Sequence, residues 1–275
     1  KELREALPGE DFQLLSLGPW VVATDLDAAA AKRFVDSTIR RYGSAIQRQL
    51  FTRQPRSKAV KVLLFKNDKS YTANNLRIFG EKPSTPYGYF SRERNALVMN
   101  IGTGGGTLLH ELVHAMAEED FPMIPAWLNE GLGSLYEASN MTAQGKVVGV
   151  VNWRLAGLQK DLAREAAPSF EKLVGMSDHD FYDPNASASN YAAARYLMQW
   201  LQEQGKLEAF YKRVRDREDA DPKASLRGVF KDGYTLKELE SPFIVVRMLF
   251  LPDMSNPTQA AIATSQALGG VSALY

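Results

Sequence analysis

Two of the chain's three histidines flank a glutamate, in His110-Glu111-Leu112-Val113-His114. On a helix of 3.6 residues per turn, positions i and i+4 differ by ~40° in azimuth and ~6 Å in height, so both imidazoles can converge on one metal ion. Glu111, rotated a further ~100°, can reach a water on that ion and act as its base. This is the HExxH pattern of zinc hydrolases. A pair of core histidines satisfied without metal is the alternative.

The residues around the pattern must bring it to a fixed place. Leu108, Leu109, Leu112, Val113, Ala115 and Met116 leave little polar surface, which predicts a helix buried on most sides. Thr107 is the expected N-cap after Gly102-Thr103-Gly104-Gly105-Gly106, and Pro122 follows the end of the segment. His110, Glu111 and His114 are then polar residues of a buried helix, and a metal with its water would satisfy all three together. The glycine run lacks the Gly-Lys-Ser/Thr ending of a phosphate loop and is not G-x-G-x-x-G. It reads as a tight strand-to-helix turn rather than a nucleotide site.

Further along, Pro125-Ala126-Trp127-Leu128-Asn129-Glu130-Gly131-Leu132-Gly133-Ser134-Leu135-Tyr136-Glu137 opens with proline at a helix start and alternates large apolar residues with small ones. Positions 115–129 cover the end of one helix, a Pro-bounded loop and the first turn of the next. A second helix folded back beside the first would make Glu130 the third ligand of a His2Glu site. Gly131 and Gly133 would let the two helices come close, although glycine in a helix interior costs ~1 kcal/mol. The other reading of Glu130 is an exposed early-turn glutamate favoured by the helix dipole.

The pairing of Leu108–Met116 (LLHELVHAM) with Pro125–Glu137 (PAWLNEGLGSLYE) resembles the gluzincin metallopeptidases, thermolysin-like and aminopeptidase N-like enzymes included. It is more similar still to bacterial peptidase-MA-like domains. The likeness is specific over about residues 95–137 and looser to about 215. It implies a zincin-like fold, one zinc ion held by His110, His114 and Glu130, and Glu111 as general base. It also implies an oxyanion donor beyond the third ligand. Tyr191 stands in that place, with packing on Arg195 as its alternative role, and His179 in Asp178-His179-Asp180 is the other candidate, in what reads as a polar loop. The aspartate that bonds a ligand histidine in the thermolysin-like pattern, four residues after the glutamate, is replaced by Ser134, which brings no charge; Glu137, seven residues after Glu130, is placed to compensate. The motif that holds a free amino terminus in aminopeptidases is not recognisable.

Length and composition fit this picture. The 275 residues are 45% hydrophobic and 24% charged with net charge +1, so no broad electrostatic case exists for nucleic acid or anionic lipid. The basic run Arg53–Lys61 reads as a solvated turn. No window approaches the ~18 apolar residues of a membrane span. Cysteine is absent, which excludes disulfides, Cys-ligated zinc and Cys nucleophiles. The chain starts with Lys1 rather than Met, which implies a missing N-terminal segment. Lack of cysteine is compatible with a periplasmic or cell-envelope location in a bacterium.

The expected class is α+β: a mixed sheet with the active-site helix, followed by a mostly helical C-terminal lobe. Strands are predicted at Phe12–Leu17, Trp20–Thr24 and Lys58–Phe65, the last central, with a hairpin of Tyr87–Ser91 and Asn95–Ile101. Helical periodicity covers Asp25–Phe51, and Asn67 is placed to cap a helix through Ile78. A short hairpin lies within Met141–Asn152. Helices follow at Trp153–Arg164, Ser169–Val174, Ser187–Glu203, Leu207–Arg217, Lys223–Phe230 and Leu236–Leu249. This divides the chain into an α/β lobe (1–120), a helical lobe carrying Glu130 (121–251) and a peripheral tail (252–275). In the resemblance the strand before the HExxH helix lies at a sheet edge, where it can template an extended peptide; a core strand is the other reading. The expected function is a zinc-dependent endopeptidase acting on an extended peptide or protein substrate. Its alternatives are a peptidase-like module that binds such segments without cleavage, and a zinc amidase acting on a non-peptide cell-wall amide.

Overall fold

Apolar and β-branched runs in the first hundred residues build a five-stranded mixed sheet of order β1-β2-β3-β5-β4. The computed structural model describes residues 12–52, 59–91, 93–219 and 221–230. The strands are β1 (Gln13–Leu17), β2 (Trp20–Thr24), β3 (Val60–Phe65), β4 (Gly88–Ser91) and β5 (Ala96–Asn100). β1 pairs antiparallel with β2, β2 and β5 run parallel to β3, and β4 closes the sheet antiparallel to β5. β3 is central, as its composition predicts. The strand before the HExxH helix is not an edge: β5 lies between β3 and β4, with all five residues buried. The edge strands are β1 and β4. A fully buried strand must be covered on both faces, which is why Ala-Leu-Val-Met-Asn has no polar alternation.

Helix α1 (Ala28–Phe34) is capped by Asp27, whose side chain accepts from Ala30 N, and continues through a π-helical segment, Val35–Gly43, into α2 (Ser44–Leu50). Asn67 caps α3 (Asp68–Phe79) by accepting from Ser70 N at 2.9 Å, and Gly80 ends it in the left-handed conformation. Phe65, Tyr71 and Val98 share a core on this side of the sheet with Ile78, Phe79 and Tyr89 packed against it.

α4 (Gly105–Asp120) carries HExxH, and α5 (Ala126–Tyr136) carries Glu130. A hairpin of β6 (Ser139–Met141) and β7 (Val147–Gly149) follows. The remaining helices are α6 (Arg154–Ala163), α7 (Phe170–Val174), α8 (Asp178–Phe181), α9 (Ser187–Glu203), α10 (Leu207–Asp216) and α11 (Pro222–Gly228). The predicted helix Leu236–Leu249, the tail 252–275 and most of Arg53–Lys61 lie outside the described residues.

The chain divides into two compact units: Lys1–Pro122 with Met141–Val147, and Met123–Asn140 with Val148–Tyr275. The second unit is built on α5 against α9. Every residue of α5 is buried, and Gly131 makes the approach possible, because a Cβ there would meet Ala194 O and Met198 Cγ at 3.1 Å. Arg195, fully buried, donates its two terminal nitrogens to the carbonyls of Ser134 and Val150. Around them, Trp200 stacks between Phe170 and Phe230, and Trp127 meets Phe210.

Candidate metal centre

In the first unit, α4 is fixed by its apolar residues. Leu108, Leu112 and Val113 are fully buried, and Leu112 Cδ1 lies 3.7 Å from the place a methyl on Gly43 would take. The helix contacts β4, β5 and the π-helical segment. Its start differs from the expectation. Thr107 is not the cap; the helix begins at Gly105 behind Gly104, whose φ of 104° and ψ of 163° belong to glycine's range, with no side-chain cap. Before it, a 3-10 turn at Ile101–Thr103 is held by Asn100, whose Oδ1 accepts from Gly102 N at 3.1 Å and whose carbonyl accepts from Thr103 Oγ1 at 2.7 Å. The sheet therefore hands the chain to α4 through a turn that only the glycine run permits.

With its apolar side engaged, α4 leaves His110, Glu111 and His114 half-buried and together. The two imidazole rings lie 4.6 Å apart and nearly perpendicular. One potential ligand atom from each of the three residues falls within 4.8 Å of the others, a group that can hold a metal ion. Nitrogen and carboxylate oxygen donors at this separation suit a small divalent cation. The negative charge of Glu111 is among the influences that raise the Tyr71 phenol; burial is the largest of them.

In the second unit, Glu130 is buried, 8% exposed, so the reading of it as an exposed early-turn glutamate fails. Its Oε1 accepts from the phenol of Tyr182 at 2.9 Å, and its charge acts on the nearby Tyr191 phenol. The Tyr191 phenol is held above its ordinary value first by burial, then by the charge of Glu130, while Arg154 opposes the rise. Its ring packs on Phe181 at 5.2 Å and beneath the Arg154 guanidinium at 5.3 Å. Arg154 is the cation on its face, and Arg195, the packing partner expected from sequence, is engaged with carbonyls instead.

Glu137 accepts from Arg154 Nε and Asn152 Nδ2, both at 2.9 Å. Ser134 is fully buried with its hydroxyl lacking a hydrogen-bond partner among the described residues. Asp178-His179-Asp180 is not a loop but the short helix α8, on which the His179 side chain is 96% exposed and pairs with Asp180.

The structure thus brings together His110, Glu111 and His114 in one unit, and Glu130, Tyr191 and Tyr182 in the other. Tyr182 went unnoticed in the sequence; no periodicity or spacing marks it.

Residues 106–222 match a family described as "Protein of unknown function (DUF1570)". The matched stretch takes in the whole HExxH pattern, Glu130, Tyr182 and Tyr191. Among curated proteins, no relative matches the chain. No helix among the described residues is long and apolar enough to cross a membrane.

Proposed function

We propose that this protein is a zinc-dependent metallopeptidase that cleaves peptide bonds in an extended segment of a peptide or protein. The observation that carries the reading is the cluster of His110, Glu111 and His114 on one buried helix, with ligand atoms within 4.8 Å of one another. His110 and His114 would hold the ion; the family resemblance implies that Glu130 is a ligand as well.

Bound zinc would polarise the scissile carbonyl and bring the pKa of its water toward ~7. Glu111 takes the water's proton and delivers it to the leaving amine, work for which a carboxylate one residue from a ligand histidine is placed. Tyr191 donates to the oxyanion that forms on the attacked carbonyl. An extended substrate would add along the β4 edge of the sheet, a common mode of peptide capture.

The intact Glu111 favours an enzyme over a module that only binds peptides, since binding needs no base. Glu111→Gln tests this directly. The purified variant should retain its fold and its metal content while cleavage of a broad peptide library, chelator-sensitive in the parent protein, is lost. Cleavage at near the parental rate in that variant would overturn the mechanism. Metal binding with no cleavage by the parent protein would favour the binding module, and release of a non-peptide amide product the amidase.

A further inference from the structure

We propose that Tyr182 is a positioning residue for the Glu130 carboxylate, and that the one-turn helix α8 is the device that delivers it; this rests on the reading of Glu130 as a metal ligand. The geometry is a pair of rungs. Ala126 N donates to Asp178 Oδ1 at 2.8 Å, and Tyr182 Oη donates to Glu130 Oε1 at 2.9 Å. Ala126 and Glu130 are one turn apart on α5, and Asp178 and Tyr182 are one turn apart along α8. Asp178 thereby supplies the cap that Pro125, without a side-chain acceptor, leaves open.

α8 is itself fixed at both ends. Ser177 caps it, with Asp180 N donating to Ser177 Oγ at 3.1 Å. Asn190 Nδ2 reaches back from α9 to the Phe181 carbonyl at 3.0 Å, and the Phe181 ring is fully buried. Tyr182 is 46% exposed, yet its backbone is anchored on one side by Phe181 and on the other by Ser187 N bonding Asp183 O at 2.7 Å. A half-exposed tyrosine with so restrained a backbone fixes one oxygen of a buried carboxylate at a defined rotamer.

The chemistry of the donor matters. A phenol restrains the carboxylate by a directed bond while leaving its negative charge in place for a cation. A lysine or arginine there would compete with a metal for the same charge. The neighbouring cation Arg154 is committed to Glu137 and to the face of Tyr191. Outer partners that orient ligands commonly carry a 10–100-fold share of metal affinity.

The test compares zinc affinity, by chelator competition, across Glu130→Gln, Tyr182→Phe and Tyr87→Phe, with the melting temperature of each metal-free protein and the visible spectrum of each cobalt(II)-loaded form. Tyr182→Phe should lose roughly 10–100-fold in zinc affinity and shift the cobalt bands, with the metal-free melting temperature unchanged. Tyr87→Phe, an exposed tyrosine beside the edge strand β4, should change none of the three. An unchanged affinity and spectrum in Tyr182→Phe, where Glu130→Gln loses affinity, overturns the positioning role alone. Unchanged affinity in Glu130→Gln overturns the ligand reading beneath it. A drop in metal-free melting temperature that accounts for the affinity loss would make the bond structural and also reject the proposal.

Discussion

Arg154 lies with its guanidinium carbon 5.3 Å over the ring of Tyr191, and Glu137 holds it there through a 2.9 Å bond to Nε. The arrangement sets Tyr191 beneath a cation and against the Phe181 ring, within the influence of the Glu130 charge. Such a phenol is positioned before any substrate arrives. If it serves the oxyanion, its removal should act on the chemical step. Tyr191→Phe is expected to lower kcat about 100-fold or more with KM little changed, since a single oxyanion donor is worth ~2.7–4 kcal/mol. Steady-state kinetics on a cleaved library peptide checks this, and a kcat within a factor of two of the parent would reduce Tyr191 to a packing role.

The contact between α5 and α9 predicts opposite outcomes for one chemical change. Gly131 faces the Ala194 carbonyl, and an added methyl would sit 3.1 Å from that oxygen and from Met198 Cγ. Met198 can bend aside but a helix carbonyl cannot, so overpacking of ~1–3 kcal/mol outweighs the ~1 kcal/mol gain in helix propensity. Gly131→Ala should therefore destabilise, by up to about 2 kcal/mol. Gly157, exposed in α6 with nothing within 4 Å of its virtual methyl, has only the propensity gain. Gly157→Ala should stabilise by about 0.5–1 kcal/mol. Urea unfolding of both variants measures the pair, and equal signs would contradict this packing.

What the sequence revealed follows from how local each signal is. His110, Glu111 and His114 are bound by helical spacing alone, so their grouping was legible within five residues. Asn67 as a cap and β3 as the central strand were legible for the same reason: one side chain bonds three residues on, and Val-Leu-Leu-Phe admits no solvated face. The start of α4 is not legible because the small residues Gly102 to Gly106 run across it, and only backbone geometry shows that Gly104, not Thr107, stands at the boundary. The interior position of β5 is legible in its unbroken apolar run, which marks a strand covered on both faces, against the edge position that the family likeness implies. Long-range partners were invisible. Glu137 pairs with Arg154, seventeen residues on, a bond that no spacing announces. Asp178 and Tyr182 act on α5 across 52 residues, through a four-residue helix too short to show any period.

Metal should reveal itself as stability, independent of any substrate. A ligand that binds only the folded chain adds RT ln(1 + [L]/Kd), about 2.7 kcal/mol at a hundredfold excess over Kd. For domains of this size each kcal/mol moves the melting temperature by ~2–4 °C, so saturating zinc should raise it by roughly 5–10 °C. The rings of His110 and His114 already lie 4.6 Å apart on one buried helix, so little of that gain is lost to ordering them. His110→Ala and His114→Ala should each abolish the shift while leaving the metal-free melting temperature within about 2 °C of the parent, because both side chains are half-buried rather than core. Glu111→Gln should keep the shift, since the base is not needed to hold the ion. Differential scanning calorimetry with and without zinc decides among these, and a shift that persists in both histidine variants would place the metal elsewhere on the protein.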